Sequence, residues 1–131
     1  MSATKSASQE GIVVGGGCAL IACQEDIDTL ASSLDGDEKT GAEIIKKAIE
    51  SPLRQIAKNS GADDGVIINE VKKQILNNIG FDALTNKFVN LFDAGIIDPT
   101  KVTRSALEYA GSVASTILTT EVIITDLPET K

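Results

Sequence analysis

Three consecutive glycines, Gly15-Gly16-Gly17, stand between the apolar run Ile12-Val13-Val14 and a stretch, Cys18-Ala19-Leu20-Ile21, that begins like a buried helix. Glycine loses more conformational freedom on folding than any other residue. Three in a row mark a place where the backbone turns through positive φ or comes very close to something else. Two readings are open. One is tight packing against a neighbouring helix at a bend. The other is approach to a ligand, most obviously a phosphate on the free amides of the helix that follows.

The 131 residues suit one domain with one core. With no Trp, one Tyr and three Phe, that core has to be aliphatic, which favours closely packed helices. The shortage of rings also disfavours base stacking, and a net charge of −7 repels phosphate backbones, so no nucleic-acid partner is expected. The chain has no histidine, which excludes Ser-His-Asp and Cys-His nucleophiles and most transition-metal sites. Acid–base chemistry would fall to Asp, Glu, Lys or Tyr. Cys18 and Cys23 read as buried thiols on one helix, in a reducing compartment. No run approaches the ~20 apolar residues of a membrane helix, so no membrane partner is expected. Residues 1–10 lack the character of a signal or transit peptide.

Along the chain, residues 2–10 have helical potential, ended by Gly11. Apolar spacing predicts a helix over 18–30, then an exposed, charged loop over 32–41. Ala42, Ile45, Ala48 and Ile49 predict an amphipathic helix over 42–58, with Lys46, Lys47 and Glu50 on its polar side and a kink or break at Pro52. Asn59-Ser60-Gly61 stops it, and a shorter helix runs from about 66 to 76. Residues 81–89 form a small hairpin around Thr85-Asn86-Lys87, followed by a turn carrying Leu91 and Phe92. Asp98-Pro99 matches an N-cap with proline at the first helical position, opening the chain's best helix, with Val102, Ala106, Ala110, Val113 and Ile117 in one stripe. The β-branched run Thr120-Glu121-Val122-Ile123-Ile124-Thr125-Asp126 reads as a strand. A lone strand needs a partner from another segment or another chain.

Four blocks carry a resemblance: Glu10-Gly-Ile-Val-Val-Gly-Gly-Gly17, Pro52-Leu53-Arg54-Gln55-Ile56, the stretch from Gly95 to Leu107 (Gly-Ile-Ile-Asp-Pro-Thr-Lys-Val-Thr-Arg-Ser-Ala-Leu), and Thr125-Asp126-Leu127-Pro128. In order and spacing they resemble the group I chaperonins, the GroEL type of bacteria, mitochondria and plastids, over about Ala3 to Pro128. The resemblance covers only the C-terminal part of such a subunit. It implies a mainly α fold of packed helices with a short β-hairpin and a C-terminal strand, the C-terminal half of an equatorial ATPase domain. Residues 1–10 would be the end of the intermediate-domain helix, with a hinge at Glu10-Gly11, and residues 11–131 the equatorial segment.

By the same resemblance, Gly15 and Gly16 match glycines whose backbone lies against the nucleotide, on its nucleoside side. Asp82, Ala83 and Leu84 lie where the family contacts adenine; Leu84 departs from the common alanine and could crowd the base. Asp98 matches the aspartate that accepts hydrogen bonds from the ribose. Arg54 and Asp63 lie near the contact between stacked rings, and strand 121–125 would pair with a neighbouring subunit. The cofactor would be ATP or ADP. Magnesium, the phosphate loop and the catalytic aspartate would belong to segments outside this chain, so no catalytic or metal-binding residue is assigned here and no ATP hydrolysis by these residues alone is expected. The parent's partners would be other subunits of a ring homo-oligomer, a co-chaperonin and unfolded substrate proteins. Cys18, Asp82 and Gly-Ile-Ile-Asp lean toward a mitochondrial matrix protein, with the bacterial cytoplasm or plastid stroma as alternatives. The function expected is a fragment of an ATP-dependent folding chaperonin. A stand-alone helical interaction or oligomerisation module without nucleotide turnover is the alternative.

Overall fold

A computed structural model describes the backbone of residues 3–125 and the side chains of residue 5 and residues 7–116. The chain divides into two compact units, residues 13–97 on one side and residues 1–12 with 98–131 on the other. In the second unit, helix α1 (Ala3–Glu10) packs on helix α7 (Thr100–Thr125). As expected, α1 stops at Gly11, which takes φ +84° while its N–H reaches back to the carbonyl of Ala7 at 2.7 Å. Lys101 reaches Gln9 at 2.6 Å, and Arg104 holds both carboxylate oxygens of Glu10 at 3.2 and 3.0 Å.

The larger unit starts within strand β1 (Ile12–Val14) and ends within β4 (Ile97–Pro99), which pair with each other. Between them lie α2 (Cys18–Ala22), α3 (Gln24–Ala31), α4 (Gly36–Ala48), α5 (Ser51–Asn59), α6 (Asp64–Gln74) and a 3₁₀ turn over Ile75–Asn77. The hairpin of β2 (Ile79–Asp82) and β3 (Lys87–Asn90) follows, antiparallel, with Phe81 opposite Phe88 and Asp82 opposite Lys87. The hairpin is where the sequence placed it, and Asn86 takes φ +57° in its turn. Leu53, Ile68, Leu91, Val71 and Cys18 are fully buried. Among the described residues Phe81 is the only buried aromatic side chain, so the core they form is aliphatic as the composition required.

Several expectations are corrected. The helix over 18–30 breaks at Cys23, which leaves Cys23 exposed rather than buried and turns Gln24 into the interior. The charged loop over 32–41 is helical from Gly36 onward. Asp37 and Glu38 fall in the first turn of α4 and Lys46 and Lys47 in its last, each sign complementing the helix dipole. At Pro52 the expected interruption is found, as a break: α4 ends at Ala48, and Pro52 sits in the first turn of α5, where a missing N–H costs nothing. Ile45 is 55% exposed, whereas Glu50, assigned to the polar side, is buried.

Asp98 does not stand next to the helix it was expected to cap. β4 runs through Pro99, α7 begins at Thr100, and the Thr100 N–H that a cap would serve donates instead to the carbonyl of Gly11 at 3.0 Å. The C-terminal strand is also overturned for residues 120–125, which continue α7; Asp126 lies outside the described residues. Among the described residues no strand lies beside it, and a β-branched run satisfies its backbone by extending a helix already under way, since adding a residue to a helix is far easier than starting one.

Candidate functional site

The glycine turn is held by the chain itself. Gly15 donates to the carbonyl of Ile96 at 2.8 Å, and Cys18 donates to the carbonyl of Gly15 at 3.2 Å, closing a tight turn into α2. A Cβ on Gly15 would meet the main chain of Ile96 and Ile97 at 3.1 Å. A Cβ on Gly17, where φ is +78°, would lie 2.9 Å from the backbone nitrogen of Leu53 in α5. At both positions the backbone lies close against other backbone, the approach that the first of the two readings requires. Gly16 differs. It takes φ +65°, and the atoms nearest a Cβ there, Ile96 Cγ2 and the Phe81 carbonyl oxygen, are 3.7 Å away, at ordinary contact distance.

That Phe81 carbonyl belongs to β2, so Gly16 lies beside the strand leading into Asp82, Ala83 and Leu84. Asp82 spends both oxygens on shaping the turn: one accepts from the Leu84 N–H and the other from the Thr85 hydroxyl, each at 3.0 Å. Ala83 is half-buried against the core, and Leu84 is 92% exposed. Gly15, Gly16 and the 82–84 segment are thus neighbours within one unit. Asp98 is exposed and belongs to the other unit. Gly80 is a glycine the sequence did not single out: a Cβ there would strike Leu91 Cδ1 at 2.6 Å and Cys18 Sγ at 2.7 Å. It sets how closely the hairpin approaches α2. Burial pushes the Cys18 thiol above its ordinary pKa despite a hydrogen bond with the backbone of Phe81, so it is an inert core thiol.

A second constellation was invisible in the sequence. Glu50, 5% exposed, accepts from Arg54 at 2.8 Å on one oxygen; the other takes the Gln24 amide at 2.8 Å and the Lys72 ammonium. Gln24 also donates to the Lys46 carbonyl at 2.8 Å, and Arg54 reaches Asp64 at 2.9 Å. Burial alone would raise the Glu50 carboxyl, but hydrogen bonds from Lys72, Gln24 and Arg54 outweigh it and hold its pKa down to about 2. Every partner except Arg54 is remote in sequence, so no local pattern could have announced the site. Arg54, expected near a contact between rings, is tied within its own chain, and Asp63 caps α6 through the Val66 N–H at 3.0 Å. This hub fastens α3, α5 and α6 to the end of α4. It is arranged for cohesion, since each of its charges has an opposite partner. Among the described residues no group of three or more His, Cys, Asp or Glu side chains could hold a metal ion, and no helix is long and apolar enough to cross a membrane.

A family model described as the TCP-1/cpn60 chaperonin family matches residues 1–128. Among solved structures, the chain is similar to the open-state monomer of a group II chaperonin from Methanococcoides burtonii, at 26% identity and a TM-score of 0.76, over 82% of this chain and 27% of that one. It is similar also to a group III chaperonin in the open state, at 26% identity and a TM-score of 0.80, over 87% of this chain and 24% of that one. The chain spans about a quarter of the length of these structural relatives. Both belong to groups other than the group I type whose motifs the sequence resembles.

Proposed function

Because the chain belongs to the TCP-1/cpn60 chaperonin family, we propose that it supplies the adenine and ribose side of the ATP site in a protein-folding chaperonin subunit. One observation carries the reading: Gly16 turns at φ +65° beside the carbonyl of Phe81, the residue that leads into the 82–84 segment. Glycine at residue 16 would let the backbone of this turn lie directly against a nucleoside. Ala83 and the exposed Leu84 would offer apolar contact to the base, with Asp82 holding their loop in shape. Asp98, an exposed carboxylate, would accept hydrogen bonds from ribose hydroxyls. ATP bound there would supply the energy for folding. The residues of this chain would bind and orient its nucleoside, while the phosphates and magnesium would be held by other segments of the subunit.

The group I subtype, a mitochondrial matrix location, ring homo-oligomerisation, and a co-chaperonin with unfolded proteins as partners belong to the same proposal. The subtype and partners rest on the residue blocks around Glu10-Gly11, Arg54 and Asp98, and the mitochondrial location on Cys18, Asp82 and Gly95-Ile96-Ile97-Asp98. The buried hub within residues 13–97 favours the interaction-module alternative, because each of its charges is partnered inside the chain. Titration calorimetry of the 131-residue chain with ATP and ADP separates the two readings, binding heat being expected for the nucleoside site and none for the interaction module, and an ATPase assay should show no turnover above background. Turnover abolished by changes within these residues would overturn the placing of phosphate and metal chemistry elsewhere.

A further inference from the structure

The chain contains two Asp-Gly pairs, Asp35-Gly36 and Asp64-Gly65, and the fold treats them differently. Such a pair is chemically labile because glycine puts no side chain in the way of its own amide nitrogen. That nitrogen can attack the aspartyl side-chain carboxyl. A C–N bond forms, the carboxyl hydroxyl and the amide proton leave as water, and a five-membered succinimide results. Water then opens the ring at either carbonyl. One product is aspartate. The other is isoaspartate, in which the main chain runs through the former side chain. Nothing is oxidised or reduced.

Asp35 is exposed at the N-cap of α4, in extended backbone at φ −133° and ψ 158°, and its side chain makes no cap hydrogen bond. Gly36 is exposed, takes φ +60°, and has open space where a Cβ would point. Nothing described there holds the carboxyl away from the amide. Asp64 lies inside the first turn of α6, its side chain only 27% exposed, with one oxygen gripped by Arg54 at 2.9 Å. Arg54 is itself anchored on buried Glu50. Ring closure at Asp64 would have to break that ion pair and unwind the start of a helix capped by Asp63.

We infer that Asp35-Gly36 is a site of spontaneous isoaspartate formation, and that the Arg54–Asp64 ion pair protects the second Asp-Gly pair from the same reaction. The product inserts a methylene into the main chain at the N-cap of α4, which loosens its first turn. It also makes the protein a substrate for the class of methyltransferase that esterifies isoaspartyl carboxylates with a methyl group from S-adenosylmethionine.

The test is to age the full 131-residue protein at neutral pH and body temperature. Isoaspartate is then located by tandem mass spectrometry and counted by methyl transfer with an isoaspartyl methyltransferase. Isoaspartate should accumulate several-fold faster at Asp35 than at Asp64. The conservative variant Asp35→Glu, at an exposed position, should remove most of the methyl acceptance, because a six-membered ring closes far more slowly. Arg54→Gln should raise isoaspartate at Asp64 and leave the rate at Asp35 unchanged. Equal rates at the two pairs in the unaltered protein, no isoaspartate at either, or full methyl acceptance in Asp35→Glu would each overturn the inference.

Discussion

In the unit spanning residues 13–97, Leu53, Ile68, Val71 and Leu91 are sealed from water, and even a carboxylate, Glu50, is buried with its partners. In the α1–α7 unit every side chain from Arg104 to Thr116 is exposed, among them Leu107, Tyr109 and Val113. The two units put similar aliphatic residues to opposite use. The first closes a core around glycines that let backbones touch. The second leaves apolar side chains around α7 in contact with water, side chains of the kind that other protein surfaces cover. Substitutions should therefore be felt strongly in the first unit as stability and weakly in the second, where they act on association.

The largest effect should come from Gly17→Ala. It forces a Cβ to within 2.9 Å of the Leu53 nitrogen at a φ of +78°, and should cost about 3 kcal/mol of unfolding free energy in urea titrations. Gly16→Ala is the control. It carries a similar φ penalty with no backbone clash, so about 1 kcal/mol is expected. If the two cost the same, the packing reading of the triplet fails.

Next in size is Glu50→Gln, which leaves Lys72 and Arg54 short of their anion and should cost about 2 kcal/mol, discounted because both cations reach solvent. Its pH signature is specific. The Glu50 pKa falls from its ordinary 4.5 to about 2 in the folded protein. Its stabilising share is therefore present above pH 4.5 and lost as acid is added through the interval down to about 2. Urea midpoints measured across that interval should fall more steeply in the unaltered protein than in Glu50→Gln; parallel curves would show that the hub contributes no such linkage.

The smallest stability effect belongs to α7. Leu107→Ser with Val113→Ser should leave the unfolding midpoint within about 0.5 kcal/mol of the original, while reducing any concentration-dependent association seen by sedimentation. A large loss of stability would mean that this face is already packed.

What could be read in the sequence follows the reach of the forces involved. The stop at Gly11, the hairpin turn at Asn86 and the interruption at Pro52 depend on neighbours within a few residues, and each was legible. Glu50 was not, because its burial depends on Gln24 and Lys72, more than twenty residues away on either side. Residues 120–125 misled for a related reason: local β preference loses to a helix that already runs into them. At the candidate site, the glycines were legible as a special backbone, but only the fold divides them, with Gly15 and Gly17 packed against the chain and Gly16 left with room.

The central proposal is that residues of this chain contact the nucleoside of ATP. It is tested most directly by following backbone amide resonances of the 131-residue protein during separate titrations with adenosine and ADP. The account predicts weak binding, with shifts concentrated at Gly15, Gly16, Ala83, Leu84 and Asp98, and adenosine nearly as effective as ADP. Shifts produced by ADP and not by adenosine, or none at these residues with either, would contradict it.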